Sequence, residues 1–153
     1  MFDEKSFYNG LNIFLDRAYT PITVFYQMDY SGLEKELENL GYPFSSKLFQ
    51  LIKEKGISEV DCYKKANLDR RLFSKIRSNV KYRPSKETVF CLILALELKP
   101  DEAKELLETA GYCFSSSIKR DLAIFYMIYH DFYDINRVNE ILFKLGEEPL
   151  GLE

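Results

Sequence analysis

The chain has 153 residues, 46% of them hydrophobic and 29% charged, with a formal net charge of −3. This length and apolar content suit one compact domain, with or without an appendage, and exclude a disordered or collagen-like chain. Charge is unevenly spread: Lys64 to Lys86 holds nine basic residues (Lys64, Lys65, Arg70, Arg71, Lys75, Arg77, Lys81, Arg83, Lys86) against one acid, Asp69, and the remainder holds 12 basic and 23 acidic. A polyanion is attracted to such a segment and repelled by the rest, which orients it.

Apolar residues recur every three to four positions in nearly every segment, and none alternates for long, so the fold class is expected to be all-α. Near the N-terminus Phe7, Leu11, Phe14 and Leu15 form one face, ending before Pro21. ITVFYQMDY is β-branched and aromatic and fits either a helix or an extended chain. Ser31 is placed to cap GLEKELENL, with Glu34 at the capping-box position and Gly41 as the stop. Ser45 or Ser46 is expected to cap a helix through Lys55 whose inner face is Leu48, Leu51 and Ile52, closed by Gly56.

Ser58 then caps a short helix to about Ala66, Asp69 one to about Ser78, and Ser85 a third, ETVFCLILALEL. Pro100 sits in the first turn of PDEAKELLETAG, which Gly111 ends. Ser116 or Ser117 opens IKRDLAIFYMIYHD, Asp134 opens INRVNEILFKLG, and EEPLGLE is expected to be a loose end. Phe125, Tyr126, Tyr129, Phe132 and Tyr133 are helix-spaced aromatics, suited to core or a subunit contact more than to a platform for stacking bases. The expected division is an N-terminal helical extension over residues 1–44, a central domain over 45–114, and a C-terminal helical extension over 115–153 packed on it.

Cys62, Cys91 and Cys113 are widely spaced within apolar patterns and form no CxxC pair, as for buried thiols in a reducing compartment. The opening Met-Phe-Asp-Glu-Lys lacks a basic n-region and an apolar h-region, and the longest apolar run, Val89 to Leu96, falls short of the roughly 20 residues a bilayer requires. A cytoplasmic protein with no membrane partner is expected. His130 is the single histidine, and the sequence holds no phosphate-binding glycine loop, GxSxG elbow or HExxH motif. Neither catalysis, a metal nor a cofactor is expected.

From Leu48 to Gly111 the order of parts is helix, glycine turn, short helix, tight turn, second short helix, Pro-Ser helix start and two closing helices. In this order the stretch resembles the Xre or lambda-repressor-like helix-turn-helix domain: Ser58 caps the first motif helix, Cys62 and Leu68 fill its apolar positions, Phe73 and Ile76 fill those of the second, and Pro84-Ser85 precedes an apolar helix. The resemblance implies a lambda-repressor-like bundle with extra N- and C-terminal helices, and double-stranded DNA binding in transcription regulation. Its second helix would enter the major groove, with Leu72, Phe73 and Ile76 inward and Arg70, Arg71, Ser74, Lys75, Arg77 and Ser78 outward or sideways. Arg70, Arg71, Ser74 and Lys75 would meet bases or groove, and Lys81, Arg83 and Lys86 would meet phosphates.

The chain departs from that family at Tyr63, where alanine is usual, at Glu59, where glutamine is common, at Asn67 in the turn, and at Arg77, which replaces a glutamate and removes its usual internal ion pair. "CYKKANLDRRLFSKIRSN" followed by "KPDEAKELLETAGY" is also similar to a bacterial helix-turn-helix-like module found C-terminal to macro or von Willebrand A domains. That resemblance implies an accessory module, so an acidic protein surface or RNA is the alternative partner for the same basic face. The 44 residues ahead of it are too few for either host domain, pointing to a stand-alone form or a fragment of a longer chain. Because one recognition helix spans few base pairs, a homodimer through the N-terminal segment or the aromatic C-terminal helices is a further expectation.

Overall fold

A computed structural model of the protein describes residues 31–151. The expected face at Phe7 to Leu15 and the ITVFYQMDY segment lie outside the described residues. Within them the chain is all-helical: α1 Ser31–Glu38, α2 Phe44–Glu54, α3 Glu59–Lys65, α4 Arg70–Ser78, α5 Lys86–Ala95, α6 Pro100–Thr109, α7 Lys119–Tyr129 and α8 Ile135–Lys144, with no strand. None of these helices is long and apolar enough to cross a membrane. Helix α1 belongs to a unit that ends at Gly41, and α2 to α8 belong to a second compact unit, Tyr42–Glu153.

Helix α5 is the hub of that second unit. Its sequence KETVFCLILA is apolar around its circumference beyond the first turn, and every residue from Thr88 to Leu96 is buried. A helix of that composition is stable only when neighbours cover all its sides. α3, α6 and α8 pack on it, α2 and α7 pack on α6, and α7 pairs with α8. Leu48, Leu51 and Ile52 of α2, Ala103, Leu106 and Leu107 of α6, and Ile124, Ile128, Val138 and Leu142 of the last two helices complete the core. Each such aliphatic side chain contributes roughly 1.5–3 kcal/mol when removed from water.

Most helix starts follow the expected chemistry. Ser58 Oγ accepts from the Asp61 N–H, Asp69 from the Arg71 N–H, Ser85 Oγ from the Thr88 N–H, and Asp134 from both Asn136 and Arg137. Two expected caps are corrected. α2 starts two residues earlier than a Ser45 cap would have it: Pro43 holds the cap position, its carbonyl accepts from the Lys47 N–H, and Ser45 is buried inside the first turn. α7 is preceded by Ile118, which has no capping side chain, in place of Ser116 or Ser117; buried Asp121 instead accepts from the Ser115 N–H at 2.7 Å. Helix α1 stops at Glu38, short of Gly41, where Asn39 turns its amide back to the Lys35 carbonyl.

The tail through Gly151 is not loose. Leu150 is wholly buried, and the Asn139 amide grips it from both sides, accepting from its N–H at 2.7 Å and donating to its carbonyl at 2.9 Å. Gly151 N–H donates to Glu87, and Arg120 donates to the Pro149 carbonyl. One apolar residue in a polar tail suffices to anchor it, because a matched amide satisfies the backbone that its burial desolvates.

Candidate nucleic-acid interface

The site is built from α3, the joint Ala66–Asp69, and α4. Asn67 adopts a left-handed conformation (φ 52°), and the backbone bonds Leu68 N–H to Tyr63 and Asn67 N–H to Lys64 close α3 around it. Asparagine tolerates this region far better than branched residues, so the joint closes without a glycine. Leu68 then tucks against the core and Asp69 begins the next helix.

Helix α4 divides sharply by face. Phe73 and Ile76 are buried; Leu72 is half-buried and, with Asn67, Ser85 and Cys91, lines a cleft of about 210 Å³. On the other side Arg70, Ser74 and Arg77 form one exposed row, and Arg71, Lys75 and Ser78 the next, by their i, i+4 and i+7 spacing. Phe73 is clamped between Phe49, edge-on at 5.7 Å, and Tyr63 at 5.6 Å. Tyr63 lies half-buried against Phe73 as a packing partner.

Cations of the basic segment separate into two groups. Arg70, Arg71, Lys75 and Lys81 are exposed and take part in no ion pair among the described residues; Lys75 lies 4.8 Å from the Tyr82 ring. Tyr82 is fixed by the Asn79 turn, whose side chain accepts from Lys81 N–H and whose carbonyl accepts from Tyr82 N–H. Lys64 is likewise exposed and in no ion pair among the described residues, whereas Lys65 pairs with Glu97 at 3.5 Å. Arg77 pairs with Glu59 across the α3–α4 joint and lies over Phe49. An ion pair thus spans these two helices, contrary to the expected loss, with the acid on α3 and the base on α4.

Lys86 is also drawn inward: it pairs with Asp121, whose side chain is only 4% exposed, and lies over Phe90. Lys86 is thus already paired with a buried carboxylate, which needs the charge. Arg83 is exposed but lies against Gly111, where an added Cβ would come 2.6 Å from its Nη2, and Tyr112 ties the loop down through the Pro84 carbonyl. Ser74 and Ser78 remain exposed on the α4 face.

Electrostatics separate stability from function here. The first turn of α4 holds no acid and two arginines, at the end of a helix where positive charge is disfavoured by about 0.3–1 kcal/mol. Only the Asp69 cap offsets this. Among the described residues no group of three or more His, Cys, Asp or Glu side chains is arranged to hold a metal ion. Sequence reasoning missed Tyr82 and Glu59 as partners of the basic face; the Asn-x-x-Tyr spacing and the acid at the start of α3 are the signals that mark them. No protein-family model matches the chain, and neither a curated protein nor a solved structure is similar to it.

Proposed function

We propose that the protein binds double-stranded DNA through α4 in the manner of a helix-turn-helix domain, as a regulator of transcription. The observation that carries this proposal is the two-row polar face of Arg70, Arg71, Ser74 and Lys75, exposed and backed by a rigid aromatic clamp. Arginine reads guanine through two parallel hydrogen bonds, and serine pairs with several bases, so the first turns of α4 supply base contacts. Lys81 and Arg83 on the following loop supply phosphate contacts, which set register without reading sequence. Arg77 contributes less, because Glu59 already neutralises it.

That same pair favours a second reading, in which an acidic protein surface docks on α4 and repeats the carboxylate contact that Glu59 makes. Fluorescence titration of a random-sequence duplex at two salt concentrations separates the two. A duplex-binding face loses affinity steeply as salt rises; Lys81→Ala with Arg83→Ala reduces the slope of log K against log salt by about 1 for each phosphate no longer neutralised, and Arg70→Ala with Arg71→Ala weakens binding. Absence of binding at low salt, or binding indifferent to both substitutions, refutes the DNA reading and favours the protein partner. A duplex RNA of equal length, bound as tightly as the DNA, shifts the assignment to RNA.

A further inference from the structure

Helix α7 is unusual among the exposed elements. Its residues from Leu122 to Tyr129, LAIFYMIY, contain no charge, although 29% of the chain is charged. Ile124, Met127 and Ile128 account for the inner face, which is buried. The opposite face carries Leu122, Tyr126 and Tyr129, exposed by 50%, 66% and 66%. Their i, i+4, i+7 spacing makes one continuous stripe. A helix on the outside of a monomer is normally polar on its outward face, and an apolar stripe there marks a contact. The aromatic residues of this region otherwise have partners: Phe125 packs on Phe114, and the Tyr133 hydroxyl donates to the Leu98 carbonyl. Of these aromatics, Tyr126 and Tyr129 face outward, with the His130 ring tilted against the first at 4.3 Å and edge-on to the second at 5.4 Å.

We infer that this stripe is where two copies of the chain associate, with α7 packed antiparallel against α7 of the second copy. The charges at the two ends of the stripe select that occupant. Lys119 stands at the N-terminal end and Asp131 at the C-terminal end, 61% and 62% exposed although each has a partner in its own chain, Glu147 and Lys99. A two-fold axis through an antiparallel pair brings Lys119 of each copy toward Asp131 of the other and opposes the two helix dipoles. A parallel pair sets like charge against like. Complementary rim charges of this kind fix orientation more than they add affinity. Tyr126, near the middle of the stripe, meets its own counterpart on the axis. The helix is about 16 Å long, which places the contact at the small end of specific interfaces, with micromolar association. The inference does not depend on duplex binding.

Sedimentation equilibrium of the full chain, from about 1 to about 200 μM, tests it. A monomer–dimer equilibrium is expected, and Tyr126→Glu, which sets two carboxylates face to face in an apolar contact, weakens it by at least about 100-fold with an unchanged far-ultraviolet dichroism spectrum. Should that variant fail to fold, cysteines decide the matter. In a Cys113→Ser background, mild oxidation of a mixture of Leu122→Cys and Tyr129→Cys chains gives a disulfide-linked dimer across the axis, and neither variant alone does so. A monomer at every concentration overturns the inference, whatever else covers the stripe. So does a dimer that survives Tyr126→Glu in a folded protein, or one in which Leu122→Cys links to itself.

Discussion

Lys86 and Arg70 have the same formal charge and lie in the same basic segment, yet their surroundings give them different work. Arg70 stands in water at the start of α4, whereas Lys86 serves a carboxylate that has been removed from solvent. Replacing one partner of such a pair leaves the other buried and uncompensated, which costs about 3–5 kcal/mol. Lys86→Met is therefore expected to lower the urea midpoint strongly, while the salt slope of duplex binding stays that of the unmodified protein. Adding Asp121→Leu should restore most of the lost stability, since an apolar pair of similar volume has no charge to strand. A Lys86→Met protein of unchanged midpoint would show that Asp121 relies on the Ser115 N–H alone. Position along the chain puts these cations in one class; burial divides them.

Helix joints show a second regularity. At Asn67, Glu97, Gly111, Asp131 and Gly146 the residue after the helix is left-handed, and a backbone N–H one position later reaches back five residues to close the turn. Glycine at Gly111 made its joint legible in the sequence, and asparagine at 67 was recognisable as tolerant. Glu97 and Asp131 were not, because a glutamate or aspartate after an apolar run resembles an ordinary exposed position. Glu97 accepts roughly 1–2 kcal/mol of backbone strain and returns an exposed ion pair with Lys65 at 3.5 Å, which is worth under about 1 kcal/mol. Glu97→Gly is accordingly expected to raise stability by about 0.5–1 kcal/mol, read as an increase of about 1–4 °C in thermal midpoint. A fall in midpoint would mean that the Lys65 pair outweighs the strain. The joint Ala66–Asp69 is thus one of several built alike, and its claim to a nucleic acid rests on the charges displayed after it.

Across the whole molecule, burial sets the response to alkali. Desolvation pushes the Cys62 thiol up to about 11 and, with the nearby Glu87 carboxylate adding to it, Cys91 up to about 12. Burial and the Asp131 hydrogen bond raise Tyr133 to about 12. Because these acids ionise more readily in the unfolded chain, their contribution is intact below the unfolded thiol range near 8.5–9 and is lost as pH rises toward the folded values. Stability is expected to be flat from pH 7 to 8 and to fall between about pH 9 and 11, by roughly 1.4 kcal/mol per pH unit for each buried thiol. Urea titrations at pH 8 and pH 10 check this, and Cys91→Ala should remove about half of the thiol-dependent decline. An equal decline in that variant would assign the alkaline loss elsewhere.

Periodicity alone determined that the described residues are all-helical, and short-range chemistry determined most helix starts: Ser58, Asp69, Ser85 and Asp134 cap where their spacing to the following N–H groups requires. The face of α4 was equally legible, since apolar positions three and four apart leave a fixed arc for Arg70, Arg71, Ser74 and Lys75. Tertiary structure decided the rest, and each case involves residues far apart in sequence. Asp121 claims Lys86 across 35 positions, Asn139 holds Leu150, Glu59 meets Arg77, and α7 turns Tyr126 and Tyr129 outward while Phe125 and Tyr133 pack. A local pattern states which groups share a face. Which of those faces is covered, and which charges are already matched, depends on partners that only the folded chain brings within reach.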